Sequence, residues 1–170
     1  MKNIIKVFTV VGLTLIITFT LASCKTPEEK QTEKAKAELE GTWVNVETSS
    51  FGGSSSTQTT TYTFNNGNFE LQHTYSSDPT STYKMKGTFT VSGSLLTMTP
   101  THEWGPISGS LTEEKWYTIA EIKQAYKDYM GGSWNADAEK NFNEGYGPQV
   151  TSFSVNGSTL YIGSTKFTKK

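Results

Sequence analysis

The sequence predicts an all-β domain that closes into an eight-stranded antiparallel up-and-down barrel, with one α-helix inserted late in the chain. Three observations carry this expectation. From Gly41 onward, apolar and polar residues alternate with period two, the pattern of strands with one buried face. Thr, Val, Tyr and Phe dominate these stretches, and such side chains suit a pleated, half-buried surface. The same hairpin device also recurs: two alternating runs flank Asn65-Asn66-Gly67-Asn68, then Ser92-Gly93, then Asn156-Gly157.

The alternation places strands at 42–48, 58–65, 68–75, 82–91, 94–103, 113–118, 149–156 and 158–168. It also assigns their faces. Phe69, Leu71, His73 and Tyr75 share one side of the third strand. In the fourth, Tyr83, Met85, Gly87, Phe89 and Val91 oppose Lys84, Lys86, Thr88 and Thr90. Leu96 lies with Met98, Phe153 with Val155, and Leu160 with Ile162. A meander of this kind must hide one apolar face and two edges. Closure into a barrel does both, and a β-sandwich is the alternative. The runs "FTVSGSLLTM" at 89–98 and "FSVNGSTLYI" at 153–162 are one hairpin solution used twice.

The inserted helix is signalled by a capping box, Thr118 with Glu121, ahead of "IAEIKQAYKDYM". Ile119, Ile122, Tyr126, Tyr129 and Met130 fall at helical spacing, and Gly131-Gly132 ends the run. It would cover the side or the open end of the barrel. Residues 131–148 are long for a structureless connection, which points to a functional segment or a small added helix.

Ahead of the domain, residues 1–23 read as a secretory signal, with Lys2 and Lys6 before an apolar stretch and small residues at its end. An uncleaved membrane anchor is the alternative. The ending Leu21-Ala22-Ser23-Cys24 resembles the lipobox of bacterial lipoproteins. That resemblance implies cleavage before Cys24 and acylation of its sulfur with at least a diacylglycerol, since a single chain anchors only marginally. Cys24 is the only cysteine, so no internal disulfide is open to the chain. Lys25 is not the aspartate associated with inner-membrane retention, so an outer membrane is expected if the source has one. Residues 24–40 form a charged tether. Thr26, Pro27 and Glu29 open a short helix there, but no apolar stripe exists to dock it.

All 15 basic residues are lysine. A near-neutral chain without arginine lacks the usual grip on phosphates and guanine edges, so no nucleic-acid partner is expected.

The domain opens on Gly41-Thr42-Trp43, followed by the Ser/Gly-rich "SSFGGSSSTQ". These features and the strand rhythm of residues 39–170 resemble lipocalin-like domains of the calycin group. The resemblance implies that Trp43 packs across the closed end of a barrel. Two departures stand out. The helix precedes the last two strands rather than following the eighth, and the arginine that packs on the tryptophan in that family has no counterpart here.

Chemistry is sparse. His73 and His102 are the only histidines, and "HEWGP" lacks the second histidine of a zinc-protease motif. No phosphate loop, nucleophile elbow or serine triad is readable, so no catalytic residues, cofactor or metal are expected. His73 lies on the apolar face, where it would orient a polar ligand head or bond a nearby hydroxyl. His102 shares the parity of Leu96 and Met98. The expected function is non-enzymatic binding of a small apolar molecule by a lipid-anchored barrel. Its interior would be lined by Tyr62, Phe64, Phe69, Leu71, His73, Tyr83, Met85, Phe89, Leu96, Met98, Phe153 and Leu160. Residues 49–58 and 131–148 would govern the open end. Trp104, Trp134 and Tyr146 would form its rim. In the alternative, the barrel is solid and those three aromatics form a contact surface for a protein partner, for a host-contact or inhibitory role.

Overall fold

The computed structural model describes residues 25–107 and 110–170. The signal segment 1–23 and Cys24 lie outside the described residues. The strands are β1 (Gly41–Phe51), β2 (Ser54–Asn65), β3 (Asn68–Tyr75), β4 (Asp78–Ser92), β5 (Leu95–Trp104), β6 (Trp116–Thr118), β7 (Gln149–Asn156), β8 (Thr159–Ile162) and β9 (Thr165–Lys169). The helices are α1 (Pro27–Leu39), α2 (Ile119–Met130) and α3 (Ala136–Tyr146). Strands β1, β2, β3, β4, β5, β7, β8 and β9 pair in that order, all antiparallel, and β9 returns to β1. The barrel is closed, and the sandwich alternative falls away.

The eight staves are not the eight read from alternation. The run 113–118 yields only β6, which hangs on the far half of β5 outside the hoop. The run 158–168 is two staves, split by a tight turn at Gly163-Ser164. The segment 49–58 is no loop: β1 and β2 stay paired out to Phe51 and Ser54 around Gly52-Gly53. The segment 131–148 holds a 3-10 turn at Gly131–Ser133 and then α3, capped by Asn135. Both capping boxes form, Thr26 with Glu29 on α1 and Thr118 with Glu121 on α2.

The tether helix is the larger departure. It does not stand free in water. Leu39 is completely buried, Ala35 packs on the core, and Lys36 lies 5.8 Å from the centre of the Phe89 ring. Glu40 Oε1 accepts from the Asn66 N–H at 2.8 Å, tying the helix end to the β2–β3 turn. Two docked residues one turn apart make no visible stripe, yet they seat α1 against the closed end.

Trp43 plugs that end. It is fully buried, and its indole N–H donates to the Leu39 carbonyl at 2.7 Å. The Lys169 ammonium lies 4.9 Å from the ring centre, so a lysine supplies the cation on the tryptophan face. Gly41 joins helix to strand with φ +122°, a conformation L side chains avoid, and a Cβ there would stand 2.9 Å from Lys169 Cε. Glycine at this position lets the chain turn and leaves room for the lysine stem. Around the plug, Phe64, Phe69, Phe89, Leu96, Met98, Phe153, Leu160 and Phe167 form one buried cluster. Phe64 meets Phe89 edge-on at 5.1 Å, and Tyr62 stacks on Phe64 at 5.6 Å.

Because Leu39 is a buried core residue, Leu39→Ala should cost about 2–5 kcal/mol of stability. Urea unfolding of the chain from residue 25 should show a correspondingly lower midpoint, whereas a helix acting only as a spacer would leave it unchanged.

Candidate ligand site at the open end of the barrel

The hoop is complete only near its base. β1 is in register with β9 only at Trp43 and Val44, flanked by hydrogen bonds that Thr42 and Asn45 make with the last strand's end and body, and β5 meets β7 through Leu95–Met98. Beyond those residues β1 to β5 continue as a curved wall. Residues directly opposite on neighbouring strands share a face, so the registers define rows across its inner side. One row runs through Gly41, Phe64, Phe69, Gly87 and Pro100. The next row starts at the plug, Trp43, and continues through Tyr62, Leu71, Met85 and Glu103, and the one beyond it holds Thr60, His73 and Tyr83. Lys84 and Lys86 point outward, as the alternation predicts: they lie 5.1 Å and 4.4 Å from the ring centres of Trp104 and Trp116.

A bulge decides which side chain of β5 enters the site. Gly87 pairs with Pro100 but Lys86 pairs with His102, leaving Thr101 as the extra residue. The wall is pinched at this point: a Cβ on Gly87 would lie 2.1 Å from the Thr99 carbonyl oxygen and 2.8 Å from Phe69 Cε1. Inward parity therefore shifts from Leu96, Met98 and Pro100 to Glu103. His102, expected to share the face of Leu96 and Met98, instead lies outside, opposite Lys86, with Nδ1 2.9 Å from Thr101 Oγ1. The two histidines thus stand on opposite faces. Glu103 takes the inward place, a residue the sequence reading missed. The usable signal was Pro100, because proline inside a strand marks an edge or a bulge.

Glu103 is 7% exposed, and its Oε2 has no hydrogen-bond partner among the described residues. Burial pushes the carboxyl pKa up, and hydrogen bonding with the Tyr146 phenol opposes that push in part. Burial likewise raises the Tyr83 phenol, with further upward pushes from the Glu103 charge and then from Tyr62. Tyr146 is raised by burial and by Glu103, and Tyr62 by burial. Burial lowers the His73 pKa and favours the neutral ring, whose Nδ1 lies 2.9 Å from Thr60 Oγ1 and 3.3 Å from Gln58 Nε2.

Tyr146 reaches Glu103 from the last turn of α3. It stacks on Phe142 at 4.6 Å, and Phe142 meets Tyr126 of α2 at 5.9 Å and Trp134 at 6.1 Å. Trp134 donates its indole N–H to Glu139 Oε2 at 2.9 Å, and Glu139 also pairs with Lys123. A cleft of about 510 Å³ between the two helices is lined by Tyr126, Met130, Trp134, Phe142 and Tyr146.

The expected lining residues divide in two. Phe64, Phe69, Phe89, Leu96, Met98, Phe153 and Leu160 are packed into the floor. Tyr62, Leu71, His73, Tyr83 and Met85 stand in the wall, partly buried. The three rim aromatics also separate. Trp104 lies on the outer wall, edge-on to Trp116 at 5.5 Å, while Trp134 and Tyr146 belong to the helical cover. What the fold and site define is a closed antiparallel β-barrel with a packed floor, a partly polar mouth and a helical cover. No protein-family model matches the chain, and a search of curated proteins finds no match to its sequence.

A glutamate whose folded-state pKa lies above its unfolded value costs stability once it ionises, so its penalty grows as pH rises. The stability of the native chain relative to Glu103→Gln should therefore fall as pH rises from the carboxyl's ordinary value of 4.5, then level off once Glu103 is ionised in the fold. Urea unfolding of both proteins from acid to mildly alkaline pH checks this, and the contribution of His73 cancels in the difference.

Proposed function

We propose that the chain is an envelope lipoprotein whose barrel holds a small, largely apolar molecule without turning it over. The observation that carries this reading is the inner wall above the floor. Tyr62, Leu71 and Met85 pack on the floor and stay partly exposed, and Thr60, His73, Tyr83 and Glu103 stand among them. Apolar lining with a few placed polar groups is the make-up of a small-molecule site. Apolar burial there would contribute roughly 25 cal/mol per Å², offset by the costs of association.

The likeness of Gly41-Thr42-Trp43 to lipocalin-like domains supports the same reading, with Lys169 in place of that family's arginine. The lipobox resemblance at Leu21–Cys24 supports a lipid anchor. Helix α1 meets the barrel at its closed end, an arrangement that leaves the mouth free while residue 24 is tethered.

The outer wall favours a second reading, a protein contact surface. Trp104 and Trp116 form an aromatic pair there, with Lys84 and Lys86 over the rings. Trp104→Ala would weaken such a contact, whereas Trp134→Ala would not, because Trp134 lies in the helical cover.

Titration of the domain with a panel of lipophilic molecules, followed by tryptophan emission and native mass spectrometry, should give saturable one-to-one binding that Leu71→Arg abolishes. Absence of saturable binding across the panel would retire the ligand reading. In cells of the source, the full chain should incorporate labelled fatty acid and sediment with membranes, and Cys24→Ala should lose the label.

A further inference from the structure

We infer that the barrel mouth takes an organic cation, a molecule whose ammonium head pairs with Glu103 and whose apolar body lies along Tyr62, Leu71 and Met85. This inference rests on the ligand-binding reading above and sharpens it to a class of head group.

Glu103 Oε2 is buried and unpartnered among the described residues, although native proteins satisfy almost all such atoms. A carboxylate oxygen accepts hydrogen bonds, so the complementary ligand atom is a donor. The carboxyl shift shows no contribution from a neighbouring cation. The lysines around the site are engaged elsewhere: Lys84 and Lys86 lie on outer tryptophans, and Lys123 pairs with Glu139 in the helical cover. A ligand cation would therefore meet the carboxylate with no internal competitor.

Tyr62 and Tyr83 share the inner face of the wall with Glu103, and Tyr146 of α3 is electrostatically coupled to it. Phenol rings present negative faces that attract ammonium groups, and their hydroxyls solvate such a head. The same surroundings disfavour an anionic head, which would be buried beside a carboxylate with no arginine or lysine to receive it. Fatty acids are thus the wrong charge for this mouth.

The test uses three probes with one dodecyl chain: dodecylammonium, dodecanol and dodecanoate, each below its micelle concentration, titrated calorimetrically at neutral pH. The native domain should bind the ammonium probe about tenfold or more tighter than the alcohol, the order expected of a hydrogen bond or ion pair to a charged group, and the carboxylate probe most weakly. Glu103→Gln should erase the ammonium preference and keep alcohol binding. Met85→Lys, which places an ammonium directly opposite Glu103, should erase it too and covers the case in which the glutamine variant fails to fold. Equal binding of all three probes by the native domain, or an ammonium preference that survives in a folded variant, overturns the cation assignment and leaves the barrel reading standing. Failure of the native domain to bind any of the three would overturn both.

Discussion

The molecule depends on a seam two residue pairs long. Trp43 opposite Lys169 and Val44 opposite Thr168 are the only pairs that join the first stave to the last. The seam holds because more than strand hydrogen bonds cross it. The indole of Trp43 bonds the end of α1, the Lys169 ammonium covers its ring, and the Lys170 N–H donates to the Thr42 carbonyl at 2.9 Å. Closing a sheet at one point removes its edges there. Closing it at a single low point leaves the rest of the wall to serve another purpose.

From that seam the interior grades from apolar to polar. The floor is made of phenylalanine, leucine and methionine packed with Trp43, and its burial supplies most of the stabilisation available to the barrel. A carboxyl appears in the row that Trp43 itself begins, and one row higher stand a histidine and a tyrosine. Buried polar groups cost free energy unless they are satisfied. His73 is satisfied by Thr60 and Gln58, whereas Glu103 keeps an empty acceptor. Proteins tend to break local rules where they act, with the cost carried by regular structure elsewhere. The contrast between a fully packed floor and an unfinished hydrogen-bond shell at the mouth fits that division.

The helical cover is linked to the wall through Tyr146. Its ring belongs to the aromatic group of Phe142, Tyr126 and Trp134, while its hydroxyl answers to Glu103. Any change in the charge state of Glu103 is therefore felt by α3. The outer wall is chemically separate: its lysines and tryptophans cover one another and share nothing with the inner rows.

Much of this was legible in one dimension, because strand alternation and turn chemistry are local. The inward set Tyr62, Leu71, His73, Tyr83 and Met85, the outward lysines 84 and 86, and both helix starts follow from spacing and capping alone. Tertiary structure decided what local rules cannot see. One extra residue at Thr101 exchanged His102 for Glu103, since a single-residue slip reverses every face beyond it. Leu39 became a floor residue because a distant β-turn and Trp43 came to meet it, and 158–168 became two staves because β1 needed a partner at the seam. Which residues alternate is a property of neighbours in sequence. Which of them close the barrel and which line its mouth depends on contacts between residues far apart in the chain, and only the folded molecule holds those.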